Sequence, residues 1–261
     1  FNNNYVLNNS GNFGIYLGNG QSTFEVTGNV IVGNNKALSY ENSSDSQSVS
    51  SNIIYNNTGS PAVYLTGKLE VKNNTIVGNG GGVSLKGSIV FNNNNIYDNG
   101  GAYELVSRNA LGTDNLNIES NYWGTSDASA IATKVYDWND DSSLGFVDYT
   151  PHETAITVSN PIAPPTDVSG QAGPTTMQLS WTANAESDIT GYKVYYDTDG
   201  SGYPYANSVS TGSTTASHTL AGLSTGTTYY VAVAAIDSDG NELSEPSHLE
   251  IHPSIVNPPQ H

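Results

Sequence analysis

The sequence predicts an all-β protein in two parts, a parallel β-helix of about six coils over residues 1–155 and a small β-sandwich over residues 164–253. The first prediction rests on a motif that recurs at the spacing typical of a solenoid. The second rests on short alternating runs that are separated by turn residues, as in a sandwich. No apolar run approaches the roughly 20 residues that a membrane-spanning helix needs.

The recurring motif is Asn-x-[Val/Ile]-[Val/Leu/Tyr]-x-Asn. Its five copies begin 25, 23, 22 and 20 residues apart, and a sixth, altered copy begins 27 residues later. Asn tolerates the left-handed backbone region, and its amide can bond to the neighbouring backbone, so we expect the motif at bends where Asn side chains stack into ladders. The Asn residues predicted to be structural for this reason are Asn29, Asn52, Asn74 and Asn94.

Each repeat carries three short runs with strand character. The residue three places before each motif is apolar and in most copies ends an alternating run, such as Leu69-Glu70-Val71. The motif contributes a second inward position, and a run such as Ala62-Val63-Tyr64-Leu65 follows it. Since stacked coils advance by about 4.8 Å each, six coils form a prism whose stability comes from stacking.

Residues 1 to about 153 resemble the C-terminal part of the right-handed parallel β-helix family, the pectate-lyase-like group of secreted bacterial repeat proteins. The resemblance is carried by the repeats and by a closing segment over about 121–153, which begins Asn121-Tyr122-Trp123-Gly124. It implies that aromatic residues such as Trp123 and Trp138 cover the last coil. A carbohydrate-stacking role for these two rings is the alternative.

Three prolines between positions 157 and 166 mark a linker, which we place at residues 156–163. The stretch after it, residues 164–253, resembles the fibronectin type III family, an immunoglobulin-like β-sandwich. The resemblance makes Trp181 a core residue and Tyr229 the tyrosine-corner residue, both structural. Residues 254–261 resemble the start of a further linker or tail.

Composition favours an extracellular or cell-surface location, because the chain has no Cys, few charged residues and a net charge of -17. The absence of Cys excludes disulfides and a Cys nucleophile. The negative charge disfavours nucleic acid and anionic lipid as partners. Phe1 already occupies an inward column, so earlier coils are expected upstream, and the open first coil is a candidate surface for self-association.

Catalytic candidates are few. A polysaccharide lyase needs a base, and residues 1–151 contain no His, so the possible bases are Lys36, Lys68, Lys72, Lys86, Lys134 and Arg108. Of these, Lys68 and Lys86 follow equivalent strands of neighbouring coils and are expected to lie near each other. A glycoside hydrolase needs two carboxylates that face one groove. Glu25 and Glu70 share an outward column but lie two coils apart, about 9.6 Å by strand spacing. Surface solvation is the alternative role for Lys68, Lys86 and both Glu side chains.

Binding candidates are of two kinds. No cofactor is required, and Ca²⁺ is the one metal that closely spaced acids suggest. The cluster favoured for it lies in the closing segment, with plain turn formation as the alternative: Asp137, Asn139, Asp140 and Asp141. Two looser clusters lie in the second part of the chain, Asp197 with Asp199, and Asp237 with Asp239, Asn241 and Glu242. The aromatic residues proposed to stack on sugars, with ordinary strand or cap packing as the alternative, are Tyr16, Tyr64, Tyr97, Trp123 and Trp138.

These observations lead to three functional hypotheses. The first is a non-catalytic secreted or cell-surface scaffold or adhesion-type protein that binds polysaccharide or other surface proteins. The second is the C-terminal portion of a polysaccharide lyase or glycoside hydrolase. The third is a subunit of an extracellular fibre or surface lattice. Cleavage, retention and filament formation distinguish them.

Overall fold

The structure, a computed structural model, describes residues 1–18, 24–41, 47–113, 116–202 and 204–243, and the backbone of 247–251. Within these ranges the chain is almost entirely β, and it divides into two compact units, Phe1–Pro161 and Ile162–His261. The predicted all-β fold class is confirmed, because the first unit is a solenoid of stacked coils and the second is a sandwich. No described helix is long and apolar enough to cross a membrane.

The first unit contains short strands and one helix, which we number in chain order. They are β1 (Tyr5–Leu7), β2 (Phe13–Leu17), β3 (Glu25–Thr27), β4 (Val30–Val32), β5 (Lys36–Glu41), β6 (Gln47–Ser50), β7 (Ile53–Tyr55), β8 (Val63–Lys72), β9 (Thr75–Val77), β10 (Val83–Asn92), β11 (Asn95–Tyr97), β12 (Leu105–Ser107), β13 (Leu116–Asn117), α1 (Ala128–Ala132), β14 (Val135–Tyr136) and β15 (Val147–Asp148).

These strands form two parallel sheets that run along the solenoid. Strands β1, β4, β7, β9 and β11 pair in that order to form a five-stranded sheet. The ten-stranded sheet has two paths, one through β2, β5, β8, β10, β12 and β14 and the other through β3, β6, β8, β10, β13 and β15. Strands β8 and β10 are long enough to belong to both paths.

At two places, the last strand of one coil and the first strand of the next form one continuous strand. Strand β8 passes through Gly67 and β10 through Gly87, and these two residues are paired in register. Gly87 has a φ of 108°, and a Cβ there would clash with the carbonyl oxygen of Gly67. Glycine therefore allows the two coils to stack closely where the chain would otherwise need a separate bend.

The predicted Asn ladders run through the solenoid in two rows. In each row, the side-chain amide and the backbone N–H of one Asn donate to the side-chain oxygen of the Asn in the next coil. Distances from Nδ2 to Oδ1 are 2.8–3.1 Å in the first row and 2.7–3.0 Å in the second. The first row is Asn4, Asn29, Asn52, Asn74, Asn94 and Asn121, and the second is Asn9, Asn34, Asn57, Asn79 and Asn99.

The left-handed residue of each bend is the one before the ladder Asn. Asn3, Asn73 and Asn93, for example, have φ values of 56°, 57° and 55°. Gly28 and Gly33 take the same place in the second coil. The motif thus uses one residue to turn the chain and the next to bond between coils.

The second Asn row ends on a carboxylate. Glu104 accepts from Asn99 through both oxygens, at 2.7 Å from Nδ2 and 3.4 Å from the backbone nitrogen. Its side chain is 3% exposed and lies 3.4 Å from the ammonium group of Lys134. The pKa of Glu104 is raised, because desolvation outweighs the hydrogen bonds from Asn99 and the charge of Lys134, both of which lower it.

The closing segment adds a helix that the sequence analysis did not predict. Helix α1 begins after Asp127, whose Oδ1 accepts from the backbone nitrogen of Ser129 at 2.8 Å. Ile131 on this helix and the fully buried Trp123 join the core of the last coil. The last coil is therefore covered by a short helix as well as by aromatic side chains.

Part of the segment predicted as a linker is bonded to the solenoid. Thr157 and Asn95 exchange two hydrogen bonds, of 2.9 and 3.1 Å. The carbonyl oxygen of Pro161 accepts from the Thr75 hydroxyl at 2.6 Å, and Asn160 donates to the carbonyl of Asn93 at 2.8 Å. This segment is bonded to strands β9 and β11 and to the bend that precedes β11.

The second unit is a sandwich of a three-stranded and a four-stranded antiparallel sheet. Their orders are β16-β17-β20 and β19-β18-β21-β22. The strands are β16 (Thr166–Ala172), β17 (Thr176–Thr182), β18 (Ile189–Asp197), β19 (Asn207–Ser210), β20 (Ser217–Ala221), β21 (Tyr229–Asp237) and β22 (Ser247–Ile251).

The sandwich core includes both residues that the sequence analysis assigned to structural roles. Trp181 is 6% exposed and packs edge-on against Tyr192, with ring centroids 5.0 Å apart. The hydroxyl of Tyr229 accepts from the backbone nitrogen of Ser224 at 3.1 Å, which is the contact of a tyrosine corner. Ile162, at the start of the unit, belongs to the same core.

Candidate binding face

One row of side chains crosses the outer surface of the ten-stranded sheet, and we call it the outer column. Its members lie side by side in six successive coils, because the strands are paired in register. Their chain neighbours, such as Ile15 and Leu65, lie in the solenoid core, so the outer column faces away from it. The outer column is Tyr16, Ser39, Tyr64, Ser84, Val106 and Tyr136.

The first coils supply an aromatic cluster and a cation. Tyr16 is 54% exposed, and its ring centroid lies 5.1 Å from that of Phe13. The ammonium group of Lys36 lies 5.6 Å from the Phe13 centroid and 5.7 Å from that of Tyr64. A cation at this distance from two π-systems is attracted to both, which fixes the position of Lys36 between them.

Arg108 reaches back from the end of β12 over the two preceding coils. Its Nε donates to Ser84 Oγ at 2.7 Å, and Nη1 donates to the Tyr64 hydroxyl at 2.8 Å. Nη2 donates to Leu65 O and to Thr66 Oγ1, both at 3.2 Å. Burial lowers the pKa of the Arg108 guanidinium, although the group stays protonated.

This arrangement changes the expected role of Tyr64. The guanidinium carbon of Arg108 lies 3.9 Å from the centroid of the Tyr64 ring, and Lys36 approaches the same ring. Two cationic side chains therefore lie against the Tyr64 ring, which is less available for stacking on a ligand than the ring of Tyr16.

A small pocket lies beside the middle of the outer column. Its volume is 130 Å³, and it is mostly surrounded by apolar or small residues. Tyr103 forms one wall and packs edge-on against Tyr136, with centroids 4.9 Å apart. The residues that line the pocket are Ser60, Pro61, Gly82, Val83, Ser84, Tyr103 and Val106.

The positive charges of the solenoid lie on this sheet or at its strand ends. All six Lys and Arg residues of positions 1–161 are in β5, β8 and β10 or directly beside β12 and β14. Lys72 pairs with Glu70 at 2.8 Å and Lys134 with Glu104 at 3.4 Å. The other four form no ion pair with a carboxylate of the described residues. These four are Lys36, Lys68, Lys86 and Arg108.

The proposed catalytic residues lie on the same sheet but do not form a compact group. Lys86 pairs in register with Thr66, and Lys68 pairs with Ser88, so the two Lys residues are offset by two positions rather than equivalent. Glu25, Ser48 and Glu70 are in register, which leaves one coil between the carboxylates. Glu70 is moreover held by Lys72.

The other proposed sugar-stacking residues have different surroundings. Trp123 is fully buried, which leaves its ring no surface for a ligand and agrees with the packing role. Tyr97 is 9% exposed on the five-stranded sheet and packs edge-on against Tyr122. Trp138 is 37% exposed and stacks on Phe146, with centroids 4.7 Å apart.

The acids of the closing segment bond to their own loop. Asp137 Oδ1 accepts from the backbone and side chain of Asn139, at 2.9 and 3.0 Å, and Oδ2 accepts from the backbone of Val147 at 3.0 Å. Asp140 Oδ2 accepts from the Asp137 nitrogen at 3.3 Å, and Asp141 caps the turn at Ser143. Across the described ranges, no group of three or more His, Asp or Glu side chains is placed to hold a metal ion. Ca²⁺ binding here stays a prediction.

Sequence reasoning missed half of this face. It treated Lys36 and Arg108 only as possible bases, and it did not assign Phe13, Tyr103 or Tyr136 to a site. The available signal was the outward position of the third strand, since extending the Tyr16–Tyr64 column by register reaches Tyr136. The reach of Arg108 over two coils had no local signal.

Comparison with known proteins identifies one of the two units. Residues 163–250 match the family model described as fibronectin type III domain. Among solved structures, the fn3 domain of human collagen alpha-1(XX) chain is 26% identical, over 38% of this chain and 91% of that one, with a TM-score of 0.32. An Fn3-like protein from Clostridium thermocellum is 27% identical, over 38% and 97%, with a TM-score of 0.30. The fn3 domain of human contactin 1 is 22% identical, over 39% and 85%, with a TM-score of 0.33.

No match was found among curated proteins. The matched region covers β16 to β21 and most of β22. The second unit of this chain therefore contains a fibronectin type III domain.

Proposed function

We propose that this chain is part of a secreted or cell-surface scaffold or adhesion protein, and that its solenoid binds glycans without cleaving them. The outer column and the aromatic cluster beside it are the binding face. The fibronectin type III domain belongs to a class commonly found in adhesion and scaffold proteins, which supports the general role.

The observation that carries the proposal is the exposed Tyr16–Phe13 cluster in line with Lys36, Arg108 and the pocket. Pyranose rings have apolar C–H faces that pack on aromatic rings, while their hydroxyl groups need hydrogen-bond donors and acceptors. An aromatic surface with a few convergent polar groups provides both. The repeat of this surface over several coils suits a linear ligand.

The non-catalytic part of the proposal rests on the carboxylates. A glycosidase pairs two of them across one bond, at most about 9.5 Å apart. Glu25 and Glu70 lie two strand spacings apart, about 9.6 Å, which is at the upper edge of that range. The residue between them is Ser48, and Glu70 forms an ion pair with Lys72.

The test is glycan retention of the full chain in affinity electrophoresis against a panel of neutral and acidic polysaccharides. A double variant with Ala in place of Phe13 and Tyr16 should bind the retained glycan with an affinity lowered by about fivefold or more, since each aromatic contact contributes about 0.5–1.5 kcal/mol. Tyr5→Ala is the matched control, because Tyr5 is 43% exposed in the same coil but on the other sheet. It should leave retention unchanged.

Three results contradict the proposal. Equal losses of glycan retention in both variants mean that the glycan does not bind at the outer column. Shortened glycan products show catalysis and support the polysaccharide-degrading hypothesis, which would also give weight to the pectate-lyase-like resemblance. Filaments without any glycan retention support the fibre hypothesis.

A further inference from the structure

Asp197 is a buried carboxylate that no described group of the protein compensates. It ends β18, its side chain is 4% exposed, and its backbone is paired with Tyr230 of β21. Neither Oδ1 nor Oδ2 has a hydrogen-bond partner among the residues that the structure describes, and both are closed off from solvent. Buried carboxylates normally accept several hydrogen bonds or lie against a cation, so this one requires an explanation.

Among the residues that the structure describes, the second unit has no unpaired Lys or Arg for Asp197. Positions 162–261 contain ten Asp and Glu residues against a single Lys and no Arg. That residue, Lys193, lies 3.1 Å from Glu242 and donates to it. No positively charged group of the described residues lies against Asp197, so a bound cation or a proton on the carboxylate would supply the compensating charge.

A well-ordered turn follows Asp197. Asp199 Oδ1 accepts from the backbone nitrogen and hydroxyl of Ser201, at 2.9 and 2.8 Å. Gly200 has a φ of 68°, and a Cβ there would lie 2.8 Å from Cζ of Tyr230. The turn is thus fixed against the same Tyr that pairs with Asp197. Oxygen atoms of a carboxylate and of a tight turn are the ligand type of hard cations.

We propose that Asp197 binds a metal cation of the hard, oxygen-preferring class, for which Ca²⁺ is the probe. Asp197 supplies the charge, and neutral oxygen atoms of the turn and of water supply the remaining ligands. Ca²⁺ should bind better than Mg²⁺, because Ca²⁺ accepts an irregular set of oxygen ligands whereas Mg²⁺ demands a near-ideal octahedron and gives up its water reluctantly. The inference is independent of the glycan proposal.

The experiment measures thermal unfolding of the full chain by calorimetry in EDTA and then with millimolar Ca²⁺ or Mg²⁺. Ca²⁺ should raise the melting temperature of the sandwich by about 4 °C or more. Terbium luminescence, excited through Tyr, should saturate and be displaced by Ca²⁺. Asp197→Asn should abolish both effects. Asp239→Asn, the same charge change at an exposed acid of another loop, should preserve them.

The proposal is overturned if wild-type protein shows neither a Ca²⁺-dependent melting temperature nor a saturable terbium signal. It is also overturned if Asp197→Asn keeps the wild-type responses, or if that variant melts above the wild type in EDTA and Ca²⁺ alike, as expected for a carboxyl group buried as the neutral acid. Should Asp197→Asn fail to fold, Asp197→Glu moves the carboxylate, and it should weaken Ca²⁺ binding at least tenfold.

Discussion

Glu104 is the single residue at which the second Asn row ends. In place of a further Asn, a buried carboxylate receives the last amide of the second row and faces Lys134. Its pKa is raised by desolvation. A carboxyl group of this kind stabilises the fold as the neutral acid, so its contribution is present below its ordinary pKa of 4.5 and is lost as pH rises through the folded-state value.

The first prediction concerns Lys134→Met. At pH 8 this change leaves the ionised Glu104 without its counterion. We expect a loss of about 2 kcal/mol in the free energy of unfolding. This is below the range for fully buried pairs, because Lys134 is partly exposed. At pH 4 the loss should shrink, because Glu104 is then largely protonated. Urea unfolding at both pH values measures the difference.

Lys72→Met is the matched control for this pair. Lys72 and Glu70 form an ion pair at 2.8 Å, but both side chains are exposed. An exposed pair contributes little, so the change should have almost no pH-dependent effect. An equal pH dependence in both variants would contradict the assignment to Glu104.

At the scale of the structural element, the Asn rows join coils of different lengths. Asn74 is fully buried and makes five side-chain hydrogen bonds. Its oxygen accepts two from Asn52, and its amide donates to Asn94, Val49 and Lys72. Every bond crosses to another coil or to the adjacent bend, so the row links coils that differ in length.

We therefore predict that Asn74→Ala destabilises the solenoid by about 3 kcal/mol or more, because it leaves several buried polar groups without partners. Asn74→Asp should be similarly harmful, since a carboxylate accepts but cannot donate. The exposed Asn35→Ala is the control and should change stability by less than about 0.5 kcal/mol. Chemical unfolding of the full chain tests all three, and a mild effect of Asn74→Ala would show that the rows are not structural.

The elements were predictable from the sequence to the extent that they are periodic. The inward columns and the Asn repeats follow from residue spacing alone, and the sixth copy at Asn121 takes its place in the first row. Helix α1 was missed because its five residues carry too little pattern. The merging of strands at Gly67 and Gly87 was missed because it depends on how two coils fit together.

The binding face was less predictable, for a physical reason. Tyr16 and Tyr64 were selected as aromatic residues of equivalent strands, and the register does place them in one column. Their difference in exposure comes from Arg108, which is more than 40 residues away in sequence from Tyr64. Contacts of that range are set by the stacking of coils and leave no trace in a local motif.

At the scale of the whole molecule, each unit has its own hydrophobic core. The core of the first unit runs from Val6 to Val147, and that of the second begins at Ile162. The backbone nitrogen of Ala163 donates to the buried Glu186 at 3.0 Å. The first residues after Pro161 are thus part of the sandwich rather than a free connection.

This arrangement predicts where the chain can be divided. A fragment of residues 162–261 should fold alone and give the dispersed NMR spectrum of a β-sandwich. A fragment of residues 173–261 should not, because it lacks Ile162, the Ala163 contact and all of β16. Equal spectra for the two fragments would contradict the role given to Ile162 and Ala163.

The direction of the Asn rows has a consequence for how such a chain can grow. Between neighbours of the first row, the side-chain amide always donates to the Asn oxygen of the following coil, across spacings of 25, 23, 22, 20 and 27 residues. A duplicated coil satisfies both neighbours if it keeps its two Asn residues and its inward apolar positions, whatever loop it carries. The solenoid can therefore lengthen by whole-coil duplication while the loops between the rows diverge.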